Sequence, residues 1–197
     1  INGKPLVYLD SANSSQKPKI VIDRISKFYE SEYSNVGRSV HSLAVKATNR
    51  YEETRDKIKK YINAEHREEI IFTKGATEGI NLIASSYGEI FIKKGDEILI
   101  TELEHHSNYV PWDFIRKKKG AIIKFVPVNN NGEIEIDEVK KLITNKTKII
   151  AITHLSNVTG AITPLKKITD LAKSKNIPVL VDGTQGAPHL KIDIQDL

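Results

Sequence analysis

The chain contains no cysteine. That absence excludes disulfides, a thiolate metal site and a cysteine nucleophile within these residues, and it fits a reducing compartment. Methionine is missing as well, and the opening stretch INGKPLVYLD has no basic-apolar-small signal pattern. A processed or trimmed segment of a longer product is therefore expected. No apolar run reaches the roughly 18 residues that a membrane-spanning helix requires, so no membrane association is expected. The formal net charge of +5 comes from lysines in RDKIKKY, IRKKKG and EVKKLITNKTK. These read as solvated helix faces, and no aromatic-basic interleaving accompanies them, so no nucleic-acid partner is expected.

What is present describes a globular α/β protein. Hydrophobic residues make up 39% of the chain and charged residues 28%, ordinary values for a soluble domain. Five stretches rich in Ile and Val read as strands: EIIFT (69–73), DEILIT (96–101), AIIKFV (121–126), KIIAITH (148–154) and IPVLVD (177–182). Between them, Ile80, Ile83, Ala84 and Tyr87 recur at helical spacing, as do Leu165, Ile168, Leu171 and Ala172. Strand-helix alternation with near-continuous apolar strands predicts a mainly parallel sheet with helices on both faces. Two helical patterns come first, at 18–33 and 41–64. The second carries Leu43, Ala47, Tyr51, Ile58 and Ile62 along one stripe. The expected division is residues 1–64, an N-terminal helical segment, and residues 65–197, a large α/β domain that stops before its end.

In parallel α/β sheets, ligands bind beyond the carboxyl ends of the strands, so the residues following each strand carry the functional expectation. TKGATEGIN (73–81) offers Ala76 and Thr77 at a helix start, where free backbone N–H groups seat a phosphate or simply a cap. It matches neither a P-loop nor a dinucleotide fingerprint. ELEHHSNYVPW (102–112) holds adjacent His105 and His106. Neighbouring side chains rarely converge on one ion and no HExxH or cysteine partner is present, so no metal is expected. A histidine there can lie on a flat aromatic ligand, move protons, or serve packing alone. LSNVTGAITPL (155–165) offers the Asn157 amide, suited to a phenolic oxygen or a carboxylate, or to its own turn. VLVDGTQG (179–186) ends an apolar strand on Asp182. A partly desolvated acid needs a positive partner, and a protonated pyridine nitrogen is one. Gln185, three residues on, can donate to a ring oxygen.

YLDSA, ATEGINL, EHHSNYVPW, ITHLSNVTG and VLVDGTQ occur in this order, and as a set the chain resembles the class V aminotransferase-like family of pyridoxal-phosphate enzymes. Within it, the chain is most similar to the SufS-like group II cysteine desulfurases. The resemblance covers essentially all 197 residues. It implies a fold-type I large domain with an N-terminal helical segment that belongs to the small domain and the dimer contact. It also implies pyridoxal 5'-phosphate as cofactor: Ala76 and Thr77 on its phosphate, His105 stacked on the ring and moving protons, Asp182 on the ring nitrogen, Gln185 on the phenolic oxygen, and Asn157 beside cofactor and substrate carboxylate. Ala12 and Asn13 would approach the substrate. Asn13 stands where the family usually has alanine, and Gly37 and Ser39 stand where it tends to show histidine and glycine.

The activity implied is transfer of sulfur from L-cysteine, giving L-alanine, through an enzyme persulfide to a SufE-like or SufU-like acceptor for iron–sulfur cluster assembly, by a homodimer. The family's Schiff-base lysine, nucleophilic cysteine and carboxylate-binding arginine belong to segments beyond residue 197. Selenocysteine lyase, kynureninase-like chemistry and an inactive cofactor-binding fragment are the alternatives. The resemblance implies a cytoplasmic location in a bacterium, or a plastid or apicoplast-type organelle in a eukaryote.

Overall fold

The computed structural model describes residues 2–197. The chain divides into two compact units, Ile1–Ile70 and Ile71–Leu197.

In the first unit, helix α1 (Lys19–Ser31) and helix α2 (Ser42–Ile62) follow an N-terminal stretch of turns and irregular chain. The α2 start is capped by His41, whose Nδ1 accepts the Ala44 N–H at 3.4 Å, and its end by Asn63 in the left-handed region, φ 55°. The Glu32 carboxylate accepts Arg24 at 2.7 Å and also pairs with Arg50, tying α1 to α2. Of the apolar stripe expected on α2, Ala47 is buried, whereas Leu43, Tyr51 and Ile58 are exposed. Ala44, one residue off that stripe, is buried instead.

Residues 69–73, expected to be a strand, do not form one. A strand needs a neighbouring ladder. Here Glu69 closes a 3₁₀ turn (Arg67–Glu69), the Ile70 carbonyl is taken by the Arg55 guanidinium, and Ile71 and Phe72 are exposed. β-propensity without a pairing edge does not make a strand.

The remaining four strands form as expected: β1 (Glu97–Thr101), β2 (Ile122–Val126), β3 (Thr147–Thr153) and β4 (Val179–Asp182). All pairings are parallel and the order is β2-β1-β3-β4. The chain leaves β1 toward β2 and then returns past β1 to β3. Right-handed crossovers in opposite directions place their helices on opposite faces. Accordingly Trp112 and Ile115 of the β1–β2 helix pack with Ile98, Ile100, Ile149 and Ala151 on one face. On the other face, Val139, Leu165, Ile168 and Ala172 from the later crossover helices pack with Leu99, Ile150 and Ile152. In-register pairs such as Leu99 with Ile150 and Ile100 with Ala151 keep each face continuous. β1 is buried at every position, as expected of a central strand. β2 is an edge strand with Ile122 and Phe125 exposed, so its apolar run is only half covered.

Helix α3 (Ala76–Ile83) continues through a π-helical turn, Ala84–Gly88, into α4 (Glu89–Phe91). Gly88 permits that packing, since a β-carbon there would lie 3.0 Å from Ile115 Cγ1. Helices α5 (Val110–Lys119), α6 (Ile136–Leu142), α7 (Leu165–Lys173) and α8 (Gly186–His189) complete the unit. On α7, Leu165, Ile168 and Ala172 are fully covered, so the period seen in the sequence marks its core face.

Candidate active site

Parallel pairing brings the carboxyl ends of β1, β3 and β4 to one edge of the sheet, marked by Thr101, Thr153 and Asp182. The chain reverses direction around β1, the position where open α/β sheets leave a crevice for ligands. The loops leaving this edge carry His105, Asn157 and Gln185, and α3, which carries Ala76 and Thr77, packs against the turn His106–Asn108.

Asp182 is 6% exposed. Its Oδ1 accepts the Thr184 N–H at 3.0 Å and the Thr184 hydroxyl at 2.6 Å. No cationic side chain pairs with it, and Oδ2 accepts no hydrogen bond among the described residues. A buried carboxylate with one oxygen uncommitted is set up for a charged donor from outside the chain. The backbone beside it is fixed: the Asp182 carbonyl accepts the His154 N–H at 3.0 Å, and Ala187 N–H returns to the Gly183 carbonyl at 2.8 Å. Gln185 immediately precedes α8 and is half-buried.

His105 is exposed at the start of its 3₁₀ turn. Its Nδ1 faces the Ser107 N–H at 3.2 Å and the Ser107 hydroxyl at 2.9 Å. A backbone N–H only donates, so Nδ1 is the acceptor and the proton of the neutral ring sits on Nε2. The His105 and His106 rings are 6.1 Å apart and tilted. Among the described residues, the side chains grouped closely enough for an ion are Glu65, His66 and Glu69, all exposed and in the first unit.

At α3, Gly75 adopts extended backbone, and the first backbone bond runs from Gly79 N–H to Gly75 carbonyl at 3.1 Å. The N–H groups of Ala76, Thr77 and Glu78 therefore reach no acceptor among the described residues. The Glu78 carboxylate folds back onto the Lys74 N–H. Asn157 is exposed in a loop closed by the Leu155–Ile162 bridge and by Ser156, whose hydroxyl accepts the Thr159 N–H at 3.2 Å. Ala12 and Asn13 lie in the first unit, in an exposed turn where the Asn13 amide donates to the Asp10 carboxylate at 3.2 Å.

Two residues at this edge were not singled out in the sequence. Glu104 links the β1 and β3 ends, its Oε1 accepting the Thr153 N–H at 2.9 Å. Burial pushes its carboxyl above the usual carboxylate range, with nearby Asp182 adding to the effect and the hydrogen bonds from Thr101, Asn108 and Thr153 opposing it. His154 lies directly after β3 against Gly186, and burial lowers its imidazole below the ordinary value of 6.5. The one sequence signal for either was proximity to a strand end: Glu104 beside His105, His154 at the end of an apolar run.

A parallel four-stranded sheet with helices on both faces and an acid closing its last strand places this unit in the α/β class. The aminotransferase class-V sequence profile matches residues 7–197, and the chain belongs to that family. It is 51% identical over 197 residues to a probable cysteine desulfurase of Halalkalibacterium halodurans, covering 100% of this chain and 48% of that protein. To the cysteine desulfurase of Synechococcus elongatus it is 46% identical over 197 residues, covering 100% of this chain and 32% of that protein. The chain thus spans about half the length, or less, of the curated relatives it matches. Among solved structures, the apo cysteine desulfurase of Thermococcus onnurineus matches with TM-score 0.91 at 34% identity, over 97% of this chain and 47% of that one. The Escherichia coli cysteine desulfurase CsdA matches with TM-score 0.86 at 38% identity, over 95% and 47%. The expected fold-type I α/β arrangement is the one observed.

Proposed function

We propose that the full-length protein is a pyridoxal-phosphate-dependent cysteine desulfurase of the SufS-like group II type. It takes sulfur from L-cysteine, leaves L-alanine, and passes the sulfur as a persulfide to a SufE-like or SufU-like acceptor for iron–sulfur cluster assembly. It works as a homodimer, in the cytoplasm of a bacterium or in a plastid or apicoplast-type organelle of a eukaryote. The observation that carries this assignment is similarity along the whole of this chain, at 51% identity over 197 residues and 48% of the relative's length, to a protein named probable cysteine desulfurase.

The donor set on this chain fits the cofactor. The unpaired N–H groups of Ala76 and Thr77 suit a phosphate, which a helix N-terminus also favours electrostatically. The uncommitted oxygen of buried Asp182 suits a protonated ring nitrogen. When bound, pyridoxal phosphate supplies an electron sink for negative charge developing at the substrate carbon next to the nitrogen. Asp182 would keep the ring nitrogen protonated, its carboxylate held in place by the two Thr184 donors. His105 would cover the ring and, with Nδ1 occupied by Ser107, would present Nε2–H as its proton-bearing atom. Gln185 would donate to the phenolic oxygen, and Asn157 would orient the ring and the substrate carboxylate.

The test is the full-length protein expressed with pyridoxal phosphate and supplied separately with L-cysteine, L-selenocysteine and L-kynurenine. Alanine released from cysteine together with persulfide sulfur is the expected result. A folded, cofactor-loaded protein that releases no alanine from cysteine would overturn the assignment.

A further inference from the structure

The Glu104 side chain is a junction that none of the proposed cofactor contacts accounts for. Its Oε1 accepts the Thr101 hydroxyl at 2.5 Å and the Thr153 N–H at 2.9 Å. Its other oxygen accepts the Asn108 amide at 2.6 Å. The orientation of that amide follows from Trp112, whose indole N–H only donates and lies 3.2 Å from Asn108 Oδ1. The amide nitrogen must therefore face Glu104. The Thr101 oxygen already accepts the Leu103 N–H at 3.1 Å, leaving the hydroxyl hydrogen for Glu104. Three donors converge on this carboxylate, and Asn108 and Trp112 are both 0% exposed. Water cannot replace either partner there.

Through these bonds one side chain joins the end of β1, the His106–Asn108 turn, the first turn of α5 and the end of β3. His105 is the next residue along the chain. Thr153 pairs in register with Asp182. The group proposed to cover the ring and the group proposed to bind its nitrogen thus meet through Glu104.

We propose that Glu104 is a positioning residue of the cofactor site, fixing the turn that presents His105 against the β3 end beside Asp182. The role rests on the cofactor assignment above. An apolar residue of similar size would fill the space, yet it would leave the Thr153 N–H and the Asn108 amide without an acceptor.

The experiment uses the full-length protein, titrated with pyridoxal phosphate, as wild type, Glu104→Gln, and the exchange Glu104→Gln with Asn108→Asp. Affinity, visible circular dichroism of the bound cofactor, and amide hydrogen exchange over residues 101–112 and 153–155 are read for each. Glu104→Gln sets one amide against another and should weaken the cofactor about tenfold or more, with protection lost in both segments. The exchange swaps carboxylate and amide. The new amide donates to the new carboxylate, whose second oxygen still accepts Trp112, and the Thr153 N–H keeps an acceptor. Affinity, dichroism and protection should return together. A Glu104→Gln protein with wild-type affinity and protection would overturn the role. So would an exchange protein that regains protection yet binds as weakly as the single variant, which would place the effect in charge rather than in position. The exchange protein also decides the matter if the single variant does not fold. Wild-type protein that binds no pyridoxal phosphate would instead overturn the cofactor assignment, and this role with it.

Discussion

Gly186 lies directly against the ring of His154. A β-carbon built on this glycine would fall 2.7 Å from His154 Nδ1 and 3.0 Å from its Cβ. The close approach lets the turn after Asp182 fold down onto the end of β3, and it restrains the stretch that carries Gln185. Gly186→Ala forces the imidazole or the turn to move. Overpacking of this kind costs about 1–3 kcal/mol. Thermal unfolding of the full-length variant should therefore begin at a clearly lower temperature than wild type, and an unchanged melting curve would contradict the packing described.

The same contact gives a pH dependence. Burial lowers the His154 pKa from 6.5, so the unfolded chain takes up the proton before the folded protein does. Stability from this group is present above pH 6.5 and is lost as the pH falls from there through the lowered folded value. His154→Gln has no proton to gain, so its unfolding free energy should fall less steeply than wild type on acidification from neutrality. Parallel curves for the two proteins would remove His154 from the account.

Ile150 is 0% exposed and pairs in register with Leu99 at the centre of the sheet. Ile150→Ala leaves a cavity between β1, β3 and α7, for which a loss of about 2–5 kcal/mol is expected. Ile122→Ala, on the exposed edge of β2, should cost far less, because little of that side chain leaves water on folding. Chemical denaturation of the two variants side by side checks the difference.

The sheet was legible because its two central strands are buried on both faces, and their apolar runs of Ile, with Leu99 in β1 and Ala151 in β3, record that directly. The same signal misled at residues 69–73. Glu69, Ile70, Ile71, Phe72 and Thr73 have strand character, but strand formation depends on a pairing edge that composition does not encode. The places of Asp182, His105 and Ala76 in the fold were legible, the first closing a strand, the second in the loop after one and the third opening a helix. Glu104 was not. Its importance comes from Thr101, Asn108 and Thr153 meeting around it, and the Thr153 contact spans 49 positions of chain. Gly186 read as an ordinary turn residue until the fold set it against His154.

The measurement closest to the central claim compares Asp182→Ala with wild type in the full-length protein loaded with pyridoxal phosphate, following alanine released from L-cysteine. Without the buried carboxylate the ring nitrogen loses its charge partner, and turnover should fall about a hundredfold or more while the protein stays folded. Turnover at the wild-type rate, with the cofactor bound, would contradict the claim that Asp182 makes this sheet edge an electron-withdrawing site.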